Sequence, residues 1–331
     1  MPHRGPAWTL ALCAGLFAVA SCATDPALER AEADQGAETM VVQSEFGEVE
    51  VPVEPRAAMG MYTTDVDILI TLGFELADTQ PIRGDGYSDF PEFFPQEALE
   101  GIEPFANYPD YDYDTMLAAG PDFILNGLGY DKLVVAKLPD IAPTDSLDAF
   151  DGRNWMKHFE ETAEALGRTA QYDAWVADYQ ARVDEIKAEL DGCADGLVLA
   201  PINYYRGSIE SACYTGVECS VFEDLGVRIL PAAQQNGGKG VQLSGEQYGQ
   251  LDDIDLAFAI RMPGDAGERE FEATLENLDK NALWRDLEFV QNDAIVDYDL
   301  EMTFGSPSGQ MAFLEVVGDA LMDYEPAASD G

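Results

Sequence analysis

Histidine is nearly missing from this 331-residue chain, which carries only His3 and His158. Imidazole-rich zinc or manganese centres, and most Ser-His or Cys-His nucleophilic mechanisms, therefore lack their parts. His158 itself reads as a surface residue of a helix. Base is scarce too, with 18 Lys and Arg against 63 Asp and Glu and a formal net charge of −45. Such a surface repels nucleic-acid phosphates and anionic lipid head groups, which excludes both as partners and suits solubility in salty or extracytoplasmic surroundings. No Walker loop and no Gly-x-Gly-x-x-Gly after a strand occurs. Among so many carboxylates, no pair stands out for glycoside hydrolysis. The chain does not read as an enzyme, and no cofactor is expected.

Five cysteines are present, and their placement follows from the N-terminus. His3 and Arg4 precede an apolar run from Ala7 to Ala20, about 14 residues against the roughly 20 that a spanning helix needs. Its length fits the core of an export signal over residues 1–21. Val19-Ala20-Ser21-Cys22 resembles the lipobox of bacterial lipoproteins, which implies lipidation of Cys22 and anchoring to the outer face of the cell membrane through lipid only. An ordinary signal peptide cleaved nearby is the alternative. Residues 22–39 read as a lipidated tether without apolar periodicity. Export favours oxidation, so Cys213 and Cys219, with Gly216 between them, are a candidate disulfide. Cys193 is then a lone buried thiol, and its pairing with one of the other two stays open.

The remainder is 47% hydrophobic across the chain, enough for two packed cores. Its organising stretch runs from Arg153 to Gly192. Tyr172, Trp175, Val176, Tyr179, Val183, Ile186 and Leu190 recur at helical spacing, with no Gly or Pro between Arg168 and Asp191. That span of about 24 residues extends about 36 Å, the length of a strut across a domain. A shorter helical pattern, Trp155 to Leu166, stops at Gly167 and predicts a kinked entry. On each side, short apolar runs alternate with amphipathic stretches. The expectation is an α/β fold of two Rossmann-like lobes joined by one long inter-lobe helix, with a ligand cleft between them. The first lobe covers 40–152, the inter-lobe helix 153–192, the second lobe 193–325, and 326–331 is a loose tail. In the second lobe, Leu197 to Ile202, Val227 to Leu230, Leu256 to Ile260 and Ala294 to Tyr298 read as strands. Cys219 to Leu225, Glu272 to Leu278 and Gln310 to Met322 read as helices, and Ser244 and Gln247 as a helix-capping pair.

The order Gly47…Val51-Pro52…Pro55-Arg56, Leu72-Gly73-Phe74, Ala119-Gly120-Pro121-Asp122-Phe123-Ile124-Leu125, together with the strut, resembles the substrate-binding lipoproteins of ABC importers for ferric siderophores, haem and cobalamin. Leu283-Trp284-Arg285-Asp286-Leu287 and Val290-Gln291-Asn292-Asp293-Ala294-Ile295-Val296 are similar to that family's late turn and strand. The resemblance covers about residues 40–325. It implies a monomer that captures a ferric siderophore and delivers it to a permease whose ATPase lies on other chains, with iron carried only inside the chelate. Haem or cobalamin binding, and a sensory or structural lipoprotein without transport, are the alternatives. It also implies one acidic docking residue per lobe facing the permease. By position these are Asp114 and Glu246.

Ligands of open α/β sheets sit beyond the carboxyl ends of strands. The residues there are Tyr62, Thr63, Arg83, Tyr87, Asn126 and Tyr130 in the first lobe, and Tyr204, Tyr205, Arg206, Gln235, Arg261, Met262 and Phe304 in the second, with Trp155 as a candidate floor. Arg offers charge-assisted donors to chelate oxygens, and aromatic rings offer stacking surface. The acidic surface leans toward a neutral or cationic hydroxamate, Arg206 and Arg261 toward an anionic chelate. Asn107 to Asp114, rich in Tyr and Asp, reads as a solvated loop; the alternative, calcium binding, lacks the Gly turn and Glu of an EF-hand loop.

Overall fold

The computed structural model describes residues 38–324. The expected signal, Cys22, the tether up to Ala37 and the tail beyond Tyr324 lie outside the described residues. The chain enters through an antiparallel hairpin, β1 (Thr39–Ser44) and β2 (Gly47–Pro52), turned at Gly47 with φ +124°. There follow β3 (Ala58–Gly60), α1 (Thr63–Thr71), β4 (Thr79–Ile82), β5 (Glu103–Ala106), α2 (Tyr113–Ala119), β6 (Phe123–Asn126), α3 (Lys132–Lys137) and β7 (Thr144–Ser146). β3, β6 and β7 form a parallel sheet in that order, and β4 and β5 form a separate parallel pair. Residues of the three-stranded sheet alternate faces, as period-two side chains must. Ala58, Phe123 and Leu125 join one apolar cluster, whereas Met59, Met61 and Ile124 join another with Met116, Val134 and Leu138.

Two helices then cross the molecule, α4 (Trp155–Ala165) and α5 (Thr169–Leu190). The break between them holds Gly167 at φ +69°, the left-handed conformation that glycine adopts most cheaply. The kink at Gly167 and the 22-residue strut are as the periodicity implies. Tyr179, Val183, Ile186 and Leu190 form the buried stripe of α5, each large side chain contributing about 1.5–3 kcal/mol of burial.

Beyond them lie β8 (Val198–Tyr205), β9 (Ser208–Ser211), α6 (Val217–Leu225), β10 (Arg228–Ile229), β11 (Val241–Leu243), β12 (Leu256–Arg261), α7 (Gly264–Leu278), α8 (Ala282–Arg285), α9 (Glu288–Gln291), β13 (Ile295–Asp299) and α10 (Pro307–Asp323). The sheet order is β11-β9-β8-β12-β13, with β10 paired to the start of β8. Strands up to β7 and strands from β8 onward thus occupy different sheets, and the chain is an α/β fold of two lobes.

Several local expectations fail for identifiable reasons. β8 runs on to Tyr205 and turns at Arg206 (φ +50°) and Gly207 (φ +86°) into β9; Tyr204-Tyr205-Arg206 is therefore a hairpin tip and not a loop after a strand. Helix α7 starts at Gly264, eight residues before the expected Glu272. Ser244 caps no α-helix, because its N–H and hydroxyl both donate to Gln247 Oε1 and only a 3-10 turn, Tyr248–Leu251, follows. Cys193 is exposed rather than buried, while Cys213 and Cys219 are disulfide-bonded. His158 is buried rather than superficial, with Nε2 3.0 Å from Asp151 Oδ1 and Nδ1 3.2 Å from Arg153 Nη2.

Candidate functional site

The start of α1 builds one wall. Asp65 accepts from the Tyr62 N–H (3.0 Å) and the Gly127 N–H (3.1 Å), closing the first turn of the helix and tying it to the end of β6. Burial pushes its carboxyl up to about 7, against those hydrogen bonds. The Tyr62 side chain is thereby aimed at the second lobe, where its hydroxyl donates to Glu301 Oε1 at 2.8 Å. Arg83 Nη1 donates to the same hydroxyl at 3.2 Å, and Nη2 pairs with Asp85 at 3.0 Å. Its guanidinium lies over Tyr108 (4.8 Å) and near Phe304 (5.6 Å). Burial pushes Glu301 up to about 7, partly offset by Tyr62 and Arg83. Two buried polar atoms here have no partner among the described residues, Arg83 Nε and Glu301 Oε2.

Around this pair runs an aromatic wall. Tyr62 meets Tyr108 and Phe304 edge-on, Tyr108 meets Tyr111, and Phe150 touches both Tyr130 and Phe304. Tyr214 of the second lobe donates to the Phe150 carbonyl oxygen at 2.6 Å. The lobes are tied beside it by Tyr87, whose hydroxyl donates to Asp299 Oδ1, and by Asp67, which accepts from the N–H and hydroxyl of Ser308, each at 2.7 Å.

Of the expected residues, the structure brings Tyr62, Arg83, Tyr130 and Phe304 together here. Thr63 and Asn126 are buried supports: Thr63 Oγ1 accepts from the Arg83 N–H, and Asn126 is spent on Ser146 and the Leu128 N–H. Trp155 is not an exposed floor. It is 3% exposed, donates to Gln310 and stacks on Phe159. It does line a cavity of about 20 Å³ under the site, with Asp65, His158 and Phe304, room for about one water.

Tyr204, Tyr205, Arg261 and Met262 line a cavity of about 480 Å³ at the carboxyl ends of β8 and β12, together with Leu300 beside Glu301, and Met262 lies against Gly86 of the first lobe. Arg261 is held by Asp297 and offers little to an anion; Arg206 lies over the Tyr205 ring. Gln235 is exposed in the loop before β11, where its carbonyl oxygen accepts from the N–H groups of Gly238 and Gly240. Asp114 in the first turn of α2 and Glu246 in the turn after β11 are both solvent-exposed, and Glu246 is on no helix.

Sequence reasoning passed over Tyr108, Tyr111, Phe150 and Glu301. The segment from Asn107 is solvated at Pro109, Asp110, Asp112 and Asp114 but anchored at its start: Asn107 is buried, donates to the Met61 carbonyl oxygen and accepts from the Asp112 N–H, and Tyr108 and Tyr111 join the wall. The density of Tyr between positions 108 and 113 was the available signal.

The arrangement contains no nucleophile with a base beside it. It offers one guanidinium among flat rings, a surface that holds a ligand rather than transforms one. The sequence matches the family described as periplasmic binding protein over residues 62–301. The chain belongs to that family. Its members are extracytoplasmic solute-binding proteins of ABC importers and not enzymes. The chain is 22% identical over 256 residues, 75% of each protein, to the iron-uptake system-binding protein of Bacillus subtilis (strain 168). Its fold is similar to that of Staphylococcus aureus SirA complexed with staphyloferrin B, with a TM-score of 0.65, 20% identity and 85% and 97% of the two chains covered. It is also similar to Streptococcus pneumoniae TIGR4 PiaA in complex with ferrichrome, at TM-score 0.64, 16% identity and 86% and 99% coverage.

Proposed function

We propose that this periplasmic binding protein captures a ferric siderophore at the aromatic wall between its lobes and hands it to an ABC permease, while a lipid on Cys22 holds it at the membrane. The observation that carries the reading is Arg83. Its guanidinium is flanked by Tyr108 and Phe304 and retains a buried donor without a partner. An iron chelate matches both features, since its metal-bound oxygens accept charge-assisted hydrogen bonds and its flat or apolar body lies against rings. The solutes named for the relatives, staphyloferrin B and ferrichrome, are of this kind and support the reading. Asp114 and Glu246, exposed on different lobes, are the proposed contacts to the permease.

Titration of tryptophan fluorescence with ferric hydroxamates, ferric catecholates, haem and cobalamin tests the ligand. One chelate class is expected to quench saturably at submicromolar concentration. Arg83→Ala should weaken that binding by one to two orders of magnitude, about 1.5–3 kcal/mol for a hydrogen bond to a charged group, whereas Arg206→Ala should leave it unchanged. Quenching by haem or cobalamin alone, or equal binding by Arg83→Ala, would overturn the assignment.

A further inference from the structure

The wall between the lobes hangs on a loop of the second lobe. That loop runs from Cys213 to Cys219 and is closed by their disulfide. Tyr214 reaches across and donates to the Phe150 carbonyl oxygen at 2.6 Å. Thr215, 6% exposed, accepts from the Trp155 N–H at 3.1 Å, and its hydroxyl donates to the Thr303 carbonyl oxygen at 2.6 Å. Phe150 and Phe304 touch each other on the wall, with ring centroids 6.0 Å apart. One of these rings belongs to a residue that the loop bonds, the other to the neighbour of one. Asn154, the cap of α4, is tied to Ser220 just past the loop at 2.7 Å.

The disulfide supplies order that the loop's own sequence lacks. Gly216 sits inside it at φ +88°. Cys213 leans on a second glycine-rich stretch, its N–H donating to the Gly238 carbonyl oxygen at 2.9 Å, and Gly237, Gly238 and Gly240 all have positive φ. Glycine gains the most freedom when a chain is released, and a crosslink that closes a short loop removes that freedom. The bond is also chemically reachable. Cys213 is half-buried, and Cys219 lies in the first turn of the nine-residue α6. A thiolate attacking Cys213 Sγ would expel Cys219 as a thiolate where the helix peptide dipoles favour negative charge.

We propose that this loop is a redox-sensitive clamp on the inter-lobe wall, closed as the disulfide and opened by a dithiol reductant. The dithiol supplies two electrons and two protons; the S–S bond breaks, Cys213 and Cys219 become thiols, and the reductant leaves as its own disulfide. Tyr214 and Thr215 then lose their fixed positions, and with them goes the placement of Phe150, Trp155 and Phe304. A lowered affinity for an iron chelate rests on the function proposed above, whereas the clamp itself does not.

Amide exchange in the ligand-free full chain tests the clamp. In dithiothreitol the Trp155 amide is expected to exchange at least about tenfold faster than in the oxidised protein, the effect of losing one hydrogen bond. That rise should exceed any change at the Ala257 amide, which is held to the Ala294 carbonyl oxygen within the second lobe. Cys213→Ser with Cys219→Ser should show the fast rate with or without reductant, and Cys193→Ser should respond as the parent does. Fluorescence titration with ferrichrome and ferric staphyloferrin B tests the coupling. Whichever binds the oxidised chain should bind the reduced one about tenfold more weakly, and Tyr214→Phe, which keeps the disulfide, should weaken binding in the oxidised state. A fall in global stability alone would not move this affinity, because the folded form still predominates. If neither chelate binds, the siderophore reading falls and exchange still decides the clamp. Equal exchange at Trp155 in both redox states, a rise shared evenly by Trp155 and Ala257, or undiminished chelate binding after reduction would each overturn the proposal.

Discussion

Glu218 gives the sharpest quantitative test of how this acidic protein holds its second lobe together. It lies in the first turn of α6, fully buried, and accepts from the Tyr298 hydroxyl at 2.8 Å. Burial pushes its carboxyl up to about 7, with hydrogen bonds from its own N–H and from Tyr298 opposing the rise. In the unfolded chain the same group titrates near 4.5. Below that value both states hold the proton and the site is neutral in the balance. As pH rises from about 4.5 to 7 the unfolded chain releases its proton and the folded one does not, so stability falls. A gap of about 2.5 units is worth about 3 kcal/mol. Glu218→Gln removes this titration while its amide oxygen can still accept from Tyr298. The stability of the variant relative to the parent should therefore grow by about 3 kcal/mol between about pH 4.5 and 8, measured by urea denaturation at each pH. Repulsion among the other carboxylates also changes with pH, but it is common to both proteins and cancels. A difference that stays constant across the range would refute the reasoning.

Three further outcomes follow from packing. Gly305→Ala puts a methyl 2.3 Å from Trp155 Cβ at a residue with φ +85°; the backbone strain alone costs about 1–3 kcal/mol, and chelate binding should weaken as Phe304 shifts, read by melting and by titration. Reducing Cys213–Cys219, six residues apart, should cost about 2 kcal/mol from the small loop it closes, seen as a lower urea midpoint in reductant. Because Tyr62–Glu301, Tyr87–Asp299 and Asp67–Ser308 link the lobes beside a continuous α5, ligand binding should change little of a radius of gyration of about 19 Å. Small-angle scattering that records a large compaction would contradict a rigid strut.

The fold was legible wherever a long period or a strong stop marked it. The α5 stripe and the glycine break before it are written in side-chain spacing, which depends on the helix alone. What escaped depends on pairing across distance. β4 (Thr79–Ile82) contains Pro81, and β5 (Glu103–Ala106) contains Pro104; each reads as a loop until its parallel partner is known. The turn at Arg206 and Gly207 is of the same kind, since Arg206 adopts a left-handed conformation that its type does not announce. At the site, Tyr62, Arg83 and Phe304 could be found because they follow strands or turns. Tyr108 and Tyr111 were marked only by the density of Tyr there, since their orientation rests on one buried amide, Asn107, bonded to Met61 beyond β3.

Charge bears on how much weight an arginine carries. In a chain with a net charge of −45 any arginine stands out, and Arg206 and Arg261 drew attention both for following strands and for their scarcity. Several arginines are answered by carboxylates, as Arg153, Arg182 and Arg261 are; such partly exposed pairs are worth little and signal little. Arg83 is set apart by its surroundings. Aromatic rings flank it, its side chain is 12% exposed, and Asp85 reaches only the outer nitrogen while Nε, like Glu301 Oε2, has no partner among the described residues. Leaving a buried donor and acceptor unpaired costs about 1–3 kcal/mol for each group, a penalty that a bound ligand supplying both an acceptor and a donor would relieve. On that reasoning Glu301 selects for a ligand donor next to the chelate oxygens, and Glu301→Gln, whose amide nitrogen cannot accept, should discriminate less between chelates that carry a hydroxyl or amide proton there and chelates that do not.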